Sequence, residues 1–433
     1  MKIKTKIEYI WLDGTKPEQT LRSKTKVVEL ESSITKPKPE DLPEWSFDGS
    51  STQQAVGDNS DCILRPVRVY MDPQRLGSYL ALCEVLDEKG ISHKTNERAE
   101  LEDFDFHRHN EGWWFGFEQE YVLMKDGKPL GFPREGYPEP QGKYYCGVGT
   151  DRVVGREIVE QHLDACMNIG LDITGVNAEV MLGQWEYQLF GKGALKVSDD
   201  LWISRYLLYR ITENHGVTVD IHPKPVHGDW NGSGMHVNFS TKEMREVGGK
   251  DLIEGICDTL SFYHEEHINN YGSDNEKRLT GLHETQSIEK FSYGISDRGA
   301  SIRIPVSTVQ NNWKGYVEDR RPASNGDPYK ITKRLLETLK TKLELVEYFK
   351  NNYYICGMKS PNIKKDVKFV LKCLNNTNNN TNHFPALLKL IHNFQKKWED
   401  LMGPGVTDFY INLLKNQYQN ALQYSKRNDR PDR

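Results

Sequence analysis

Two glutamates stand two residues apart in Phe115-Gly116-Phe117-Glu118-Gln119-Glu120-Tyr121, a segment whose aromatic residues and alternation read as a strand. Glu118 and Glu120 therefore project from one face, and like charges on a buried face call for a cation. A second pair, Glu179 and Glu186, flanks Gly183, where one strand can turn back on the next and bring both carboxylates together. In Met235-His236-Val237-Asn238-Phe239-Ser240 the alternation sends His236, Asn238 and Ser240 to one face and the apolar residues to the other. Tyr316, Glu318 and Arg320 likewise share a face, and Arg278, Arg298 and Arg303 lie in nearby segments rich in Ser, Gly and Thr. A lone strand histidine or a lone arginine is ordinarily structural. Five glutamates, a histidine and several arginines together suit hard divalent cations that bridge phosphate oxygens while guanidinium groups hold a transferring phosphoryl group. No Gly-x-x-x-x-Gly-Lys-Ser/Thr run occurs, so ATP-driven chemistry here would proceed without a P-loop.

Several elements must position these groups. From Lys2 to Leu86, short alternating runs (Lys6–Leu12, Lys24–Leu30, Asp61–Tyr70, Leu80–Leu86) broken by Pro37, Pro39, Pro43 and Gly49 predict a small mixed sheet as an N-terminal domain over 1–90. Longer strands, Trp113–Met124 and Ile221–Ser240, then alternate with helices predicted over Gly155–Ile169 and Asp199–His215. The fold class is α+β, with a larger second domain over 91–340 in which helices pack on an antiparallel sheet. Residues 341–433 read as a basic, partly helical extension interrupted by the Asn/Thr-rich linker Asn375–Asn382.

Charge follows the same division. The formal charge is -5, yet residues 341–433 hold 15 Lys and Arg against 8 Asp and Glu, so an acidic body carries a basic tail. The tail lysines alternate with apolar residues at helical spacing, which points to a solvated helix face and not to nucleic acid. Mean hydropathy is -0.70, no apolar run nears the roughly 20 residues that cross a bilayer, and Met1–Ile10 alternates charged and apolar residues, so neither a membrane span nor a secretion signal is expected. The seven cysteines are scattered without a Cys-x-x-Cys, as suits a cytoplasmic protein.

From about Tyr9 to Tyr329 the chain closely resembles eukaryotic-type (type II) glutamine synthetases. The resemblance rests on Trp11–Gly14, Leu21–Thr25, Leu42–Thr52, Tyr144–Gly149, Asn231–Gly234, Arg278–Gly281, Ala300–Pro305 and Glu318–Pro322, which follow in the family's order. It implies a β-grasp domain followed by a catalytic domain, with active sites between neighbouring subunits of a homo-oligomer, a decamer of two stacked pentameric rings. It also implies ATP-dependent ligation of ammonium to glutamate through γ-glutamyl phosphate, with two or three Mg2+ or Mn2+ ions per site. By position, Glu120, Glu179 and Glu186 would hold the metal beside glutamate, and Glu118, His236 and Glu318 the metal beside the ATP phosphates.

The resemblance places Asn231 and Gly232 on glutamate, Arg278 and Arg320 on its carboxylates or on the transferred phosphoryl group, and Arg298 and Arg303 on phosphate charge. Tyr316, Asn238 and Ser240 would line the nucleotide, Glu284 would close over the intermediate, and Asp48 and Asp61 of a neighbouring subunit would receive ammonium. Two departures border the substrate pockets: Asp229 stands where the animal enzymes carry Asn, and Phe190-Gly191-Lys192-Gly193 replaces the usual Gly-Pro-Cys-Glu-Gly. A related ligase acting on a bulkier amine would need an apolar wall where Asp48 and Asp61 stand.

Overall fold

The computed structural model describes residues 1–108 and 112–339, so the extension read over 341–433 lies outside the described residues. Five strands form the first sheet: β1 (Lys2–Leu12), β2 (Leu21–Glu31), β3 (Trp45–Asp48), β4 (Asp61–Met71) and β5 (Tyr79–Leu86), in the order β2-β1-β5-β4-β3. Only β1 and β5 run parallel. Alternation in β1 puts Ile7, Tyr9 and Trp11 into a core with Val28, Leu30, Phe47, Leu64 and Val85.

Polar contacts bind this sheet to the rest of the chain. Helix α1 (Glu97–Arg108) carries Arg98, which forks onto Asp199 at 2.9 and 3.1 Å and onto Glu84 at 2.7 Å. Tyr70 donates to Asp200 at 2.9 Å, and Tyr329 to Asp199 at 2.7 Å. Both aspartates belong to α3 (Ala194–His215), the long helix behind the second sheet.

That sheet contains β6 (Trp114–Lys125), β7 (Lys128–Pro129), β8 (Ile173–Ala178), β9 (Gln184–Lys192), β10 (Thr218–Asp220), β11 (Met235–Ser240), β12 (Tyr293–Ile295), β13 (Ile302–Ile304) and β14 (Val317–Asp319). Its order is β12-β13-β14-β11-β6-β9-β8, with β7 and β10 also pairing with β6. Every pair is antiparallel except β12 with β13. Helices α2 (Arg156–Asn168) and α3 cover one face. The remaining helices are α4 (Lys242–Glu246), α5 (Lys250–Phe262), α6 (His264–Ile268), α7 (Val306–Gln310) and α8 (328–339). None of the described helices is long and apolar enough to cross a membrane.

The period-2 alternation decides which residues reach the open face. Phe115, Phe117, Gln119 and Tyr121 of β6 are buried, and Gln119 accepts from the Arg205 guanidinium of α3 at 2.9 and 2.6 Å. Tyr187 of β9 meets Ser204 of the same helix at 2.7 Å. Glu118, Glu120 and Glu186 therefore emerge on the opposite face.

Two elements differ from the sequence expectation. The strand expected over Ile221–Ser240 is confined to β11, since Pro223 and Pro225 cannot continue a ladder and Gly228, Gly232 and Gly234 lie in an irregular loop. The helix expected from Asp199 begins five residues earlier. Its first turn is capped from far along the chain: Asp105 accepts from the backbone N–H groups of Ala194 and Leu195 at 3.1 and 3.2 Å.

At the base of β14, Arg321 forks onto Asp319 at 2.8 and 2.6 Å, both side chains being essentially inaccessible, and Tyr271 donates to the same carboxylate at 2.7 Å. Replacing Arg321 by Met should cost about 3–5 kcal/mol, because Asp319 is left as a buried charge without its partner. Denaturant unfolding of Arg321→Met checks this, and adding Asp319→Leu should recover most of the loss.

Candidate active site

The open face of the second sheet carries the chemistry in adjacent rungs. Glu186 of β9 lies directly opposite Glu120 of β6, and His236 of β11 opposite Glu118. Glu318 of β14 lies opposite Asn238 on one side and Arg303 of β13 on the other. Glu179 follows β8 at the start of the tight return to β9, where Gly183 takes φ +85° and a residue with a Cβ would be strained.

These side chains surround an open cavity of about 260 Å³. Glu118, Glu120, Glu179, Glu186, Asn231, Gly232, His236, Arg278, Glu284, Arg298, Arg303, Glu318 and Arg320 all line it. Five residues singled out from the sequence do not. Asn238 does not line the cavity but donates to Glu118 at 2.7 Å. Ser240 is buried and accepts from Arg245 at 2.9 Å. Tyr316 lies just outside, partly exposed.

Asp48 and Asp61 sit opposite each other across β3 and β4, exposed and away from the cavity. Asp48 accepts from Ser50 N–H at 3.0 Å and from the Ser50 and Ser51 hydroxyls at 2.6 Å each, contacts that hold its carboxyl below the usual carboxylate range.

Charge is unevenly matched inside the cavity. Glu318 pairs with Arg303 at 2.8 Å and Arg320 at 2.5 Å, and Glu284 with Arg298 at 3.0 Å. Among the described residues no arginine or lysine forms an ion pair with Glu120, Glu179 or Glu186. Burial raises the Glu120 carboxyl, against the pull of Arg278. Burial, reinforced by Glu120, pushes Glu179 up to about 8, and burial, reinforced by Glu118, pushes Glu186 up to about 9. Burial holds His236 well below its ordinary value, and Arg320 pushes the same way. Carboxylates left so short of countercharge fit a hard divalent cation.

Ligand atoms of Glu118, Glu186 and His236 come within 4.8 Å of one another, a group that cuts across the two metal sets implied by the resemblance. Arg278 donates to His236 Nε2 at 3.1 Å, so Nδ1 is the nitrogen that faces Glu118, at 3.1 Å, and Glu318, at 3.4 Å.

Close packing locks this arginine. A Cβ on Gly234 would stand 2.4 Å from Arg278 Nη2, and one on Gly232 2.4 Å from the Pro223 carbonyl oxygen. Nearby, His283 and Glu284 both take left-handed backbone conformations, with φ of 52° and 59°, which non-glycine residues hold only when their surroundings enforce it.

One wall residue, Gln184, and two residues that hold the wall, Gln188 and Gln141, escaped the sequence reading. Gln184 donates to Glu120 and to the Gly232 carbonyl at 3.2 and 3.1 Å, and Gln188 donates to Glu186. Both share the Glu186 face of β9, so the same alternation that singled out Glu186 could have found them. Gln141, which bonds Asn231, sits in a loop and follows no such period.

Residues 4–88 match the family described as glutamine synthetase, beta-Grasp domain, and residues 94–253 the family described as glutamine synthetase, catalytic domain. Among curated relatives, a glutamine synthetase of Bradyrhizobium diazoefficiens is 53% identical over 340 residues, 78% of this chain and 96% of the relative. A chloroplastic glutamine synthetase of Chlamydomonas reinhardtii is 49% identical over 344 residues, 77% of this chain and 90% of the relative. The electron cryomicroscopy structure of Plasmodium falciparum glutamine synthetase superposes with a TM-score of 0.62 at 17% identity, covering 78% of this chain and 73% of that one, which shows a shared fold.

Proposed function

The chain belongs to the glutamine synthetase family, and on that premise we propose that it joins ammonia to the γ-carboxylate of L-glutamate, converting ATP to ADP and phosphate. The observation that carries this reading is the cavity itself: buried carboxylates without a countercharge on one wall, four arginines on the other. A carboxylate resists ammonia because oxide is a poor leaving group. When its oxygen attacks the γ-phosphorus of ATP, ADP departs and γ-glutamyl phosphate forms. The ammonia lone pair then attacks the acyl carbon, phosphate leaves with that oxygen, and a carboxylate takes the surplus proton.

Arg278, Arg320, Asn231 and Gly232 would bind glutamate, Arg298 and Arg303 would balance charge on the transferring phosphoryl group, and Glu284 would keep water from the acyl phosphate. Asn238, Ser240 and Tyr316, outside the cavity lining, would border the nucleotide. Glu120, Glu179 and Glu186 would hold one cation and Glu118, His236 and Glu318 another, for two or three ions along the same acidic wall. Mg2+ or Mn2+ there would supply Lewis-acid polarisation of phosphate oxygens.

The enzyme would work in the cytoplasm as a decamer of two stacked pentameric rings. Asp48 and Asp61 support that assembly, because both are exposed and lie apart from their own chain's cavity, free to meet a neighbour's. The test is phosphate release that requires glutamate, ammonium and ATP together and yields one glutamine per phosphate. Faster ligation of methylamine or a bulkier amine would move the chain to a different acceptor.

Asp48→Asn separates ammonium capture from an ordinary turn. Asn keeps an oxygen for Ser50 N–H but lacks the negative charge. The variant should still phosphorylate glutamate, and its KM for ammonium should rise by about tenfold, with hydroxylamine, neutral near pH 7, restoring transfer in part. An unaltered ammonium dependence would leave Asp48 as a turn residue.

A further inference from the structure

Gln141, Asn231 and His283 come from three separate loops and form one hydrogen-bonded chain beside the cavity, with the Asp229 carboxylate at its end. The backbone N–H of Asn231 lies 2.7 Å from one end of the Gln141 amide, and because that N–H can only donate, the atom it meets is the carbonyl oxygen. The other end of Gln141 is then the NH2 group, which reaches the Asn231 side chain at 2.6 Å and His283 Nδ1 at 3.2 Å. An NH2 group only donates. Asn231 therefore turns its Oδ1 toward Gln141, and His283 accepts at Nδ1. An imidazole accepting at Nδ1 carries its hydrogen on Nε2, which lies 3.0 Å from Asp229 Oδ1. Each assignment forces the next.

The consequence falls on Asn231. With Oδ1 engaged, the polar end it can offer the cavity it lines is Nδ2, a donor. We infer that Gln141, His283 and Asp229 are positioning residues that hold Asn231 as a hydrogen-bond donor toward an anionic carboxylate of glutamate. This rests on the proposed glutamine-forming reaction. Because His283 immediately precedes Glu284 in the left-handed turn, the same chain also sets where that turn stands over the cavity.

Reversing the Asn231 amide would put a carbonyl oxygen against a substrate carboxylate, two acceptors facing each other, and the site would lose selectivity for the anion.

Gln141→Glu tests this with little change of shape. The new carboxylate still accepts from Asn231 N–H, but its second oxygen faces Asn231 Oδ1 and drives the amide to turn over. The KM for glutamate should rise by about tenfold or more while the KM for ATP stays within about twofold, kcat changes less than the glutamate KM, and the melting temperature barely moves. Asp229→Leu is a second variant that leaves packing alone, since the Asp229 side chain is 97% exposed. It should raise the glutamate KM by about two- to fivefold, and combined with Gln141→Glu it should add little, because both interrupt one chain.

An unchanged glutamate KM in both single variants overturns the inference, as does a parallel rise in both substrate KM values with a lowered melting temperature. A fully additive double variant also overturns it. Should the wild-type protein make no glutamine, the functional reading fails by itself. Calorimetric binding of glutamate in the presence of ADP and Mg2+ then decides the inference: weaker binding by Gln141→Glu supports it, and equal or absent binding in both proteins overturns it.

Discussion

Glu186→Gln is expected to lower kcat by about a thousandfold or more, and at the same time to make the metal-free protein more resistant to unfolding at pH 8. Both effects come from one cause. Glu186 is 7% exposed and among the described residues has only Gln188 as a hydrogen-bond donor, so burial, reinforced by Glu118, Glu120 and Glu179, raises its carboxyl from an ordinary 4.5 to about 9. A raised carboxyl contributes its full stability below the unfolded value. As pH climbs from about 4.5 toward about 9 the unfolded chain has released the proton that the folded chain still holds, and stability is lost. A neutral amide removes that loss together with the anionic ligand a divalent cation needs. Melting temperature against pH, with EDTA and then with Mg2+, checks this. Wild type should lose stability as pH rises in EDTA and recover it with Mg2+, whereas the variant should show a flatter profile and a smaller response to the ion. Wild-type turnover in the variant would remove Glu186 from the site.

Gly234→Ala should have the second largest effect on activity, lowering it by about a hundredfold and stability by about 1–3 kcal/mol. The added Cβ would meet Arg278 Nη2 at 2.4 Å and Cζ at 2.8 Å. An arginine tip is ordinarily free to swing away, but this one is buried and donates to the Arg320 and Arg321 carbonyls at 3.0 and 3.3 Å and to His236 Nε2 at 3.1 Å. Displacing it disturbs a group proposed to bind substrate and the histidine proposed as a metal ligand in one step. Gly57→Ala is the control, since a Cβ there meets nothing within 4 Å. Steady-state rates and denaturant midpoints of the two variants should diverge, and equal behaviour would mean that Arg278 has room to move.

The part of the site that was legible in the sequence is the part governed by strand alternation. Glu118 with Glu120, and His236 with Glu318, come together because a period of two puts them on one face of neighbouring strands. Glu179 and Glu186 meet because Gly183 permits the tight return. Alternation also set a limit: it assigned Ser240 and Asn238 to the His236 face, but it cannot tell how far along a strand a cavity extends, and Arg245 closes over Ser240. The contacts that hold loop residues leave no trace in any periodicity. Gln141 and Asn231 are 90 positions apart, and Asp105 caps α3 from 89 positions away, so the partners that fix them are visible only once the chain is folded. The loop before β11 was misread for a related reason, since apolar residues such as Val226 and Trp230 are buried there without belonging to a strand.

The proposed reaction depends above all on this cavity turning the γ-carboxylate of glutamate into an acyl phosphate before ammonia attacks. Glutamate labelled with oxygen-18 in that carboxylate, incubated with the enzyme, ATP, Mg2+ and ammonium, reports on it directly. One labelled oxygen should appear in each phosphate released, with one glutamine formed per phosphate, because the carboxylate oxygen that attacks phosphorus leaves with it. Phosphate free of the label, with glutamine still formed, would contradict the account.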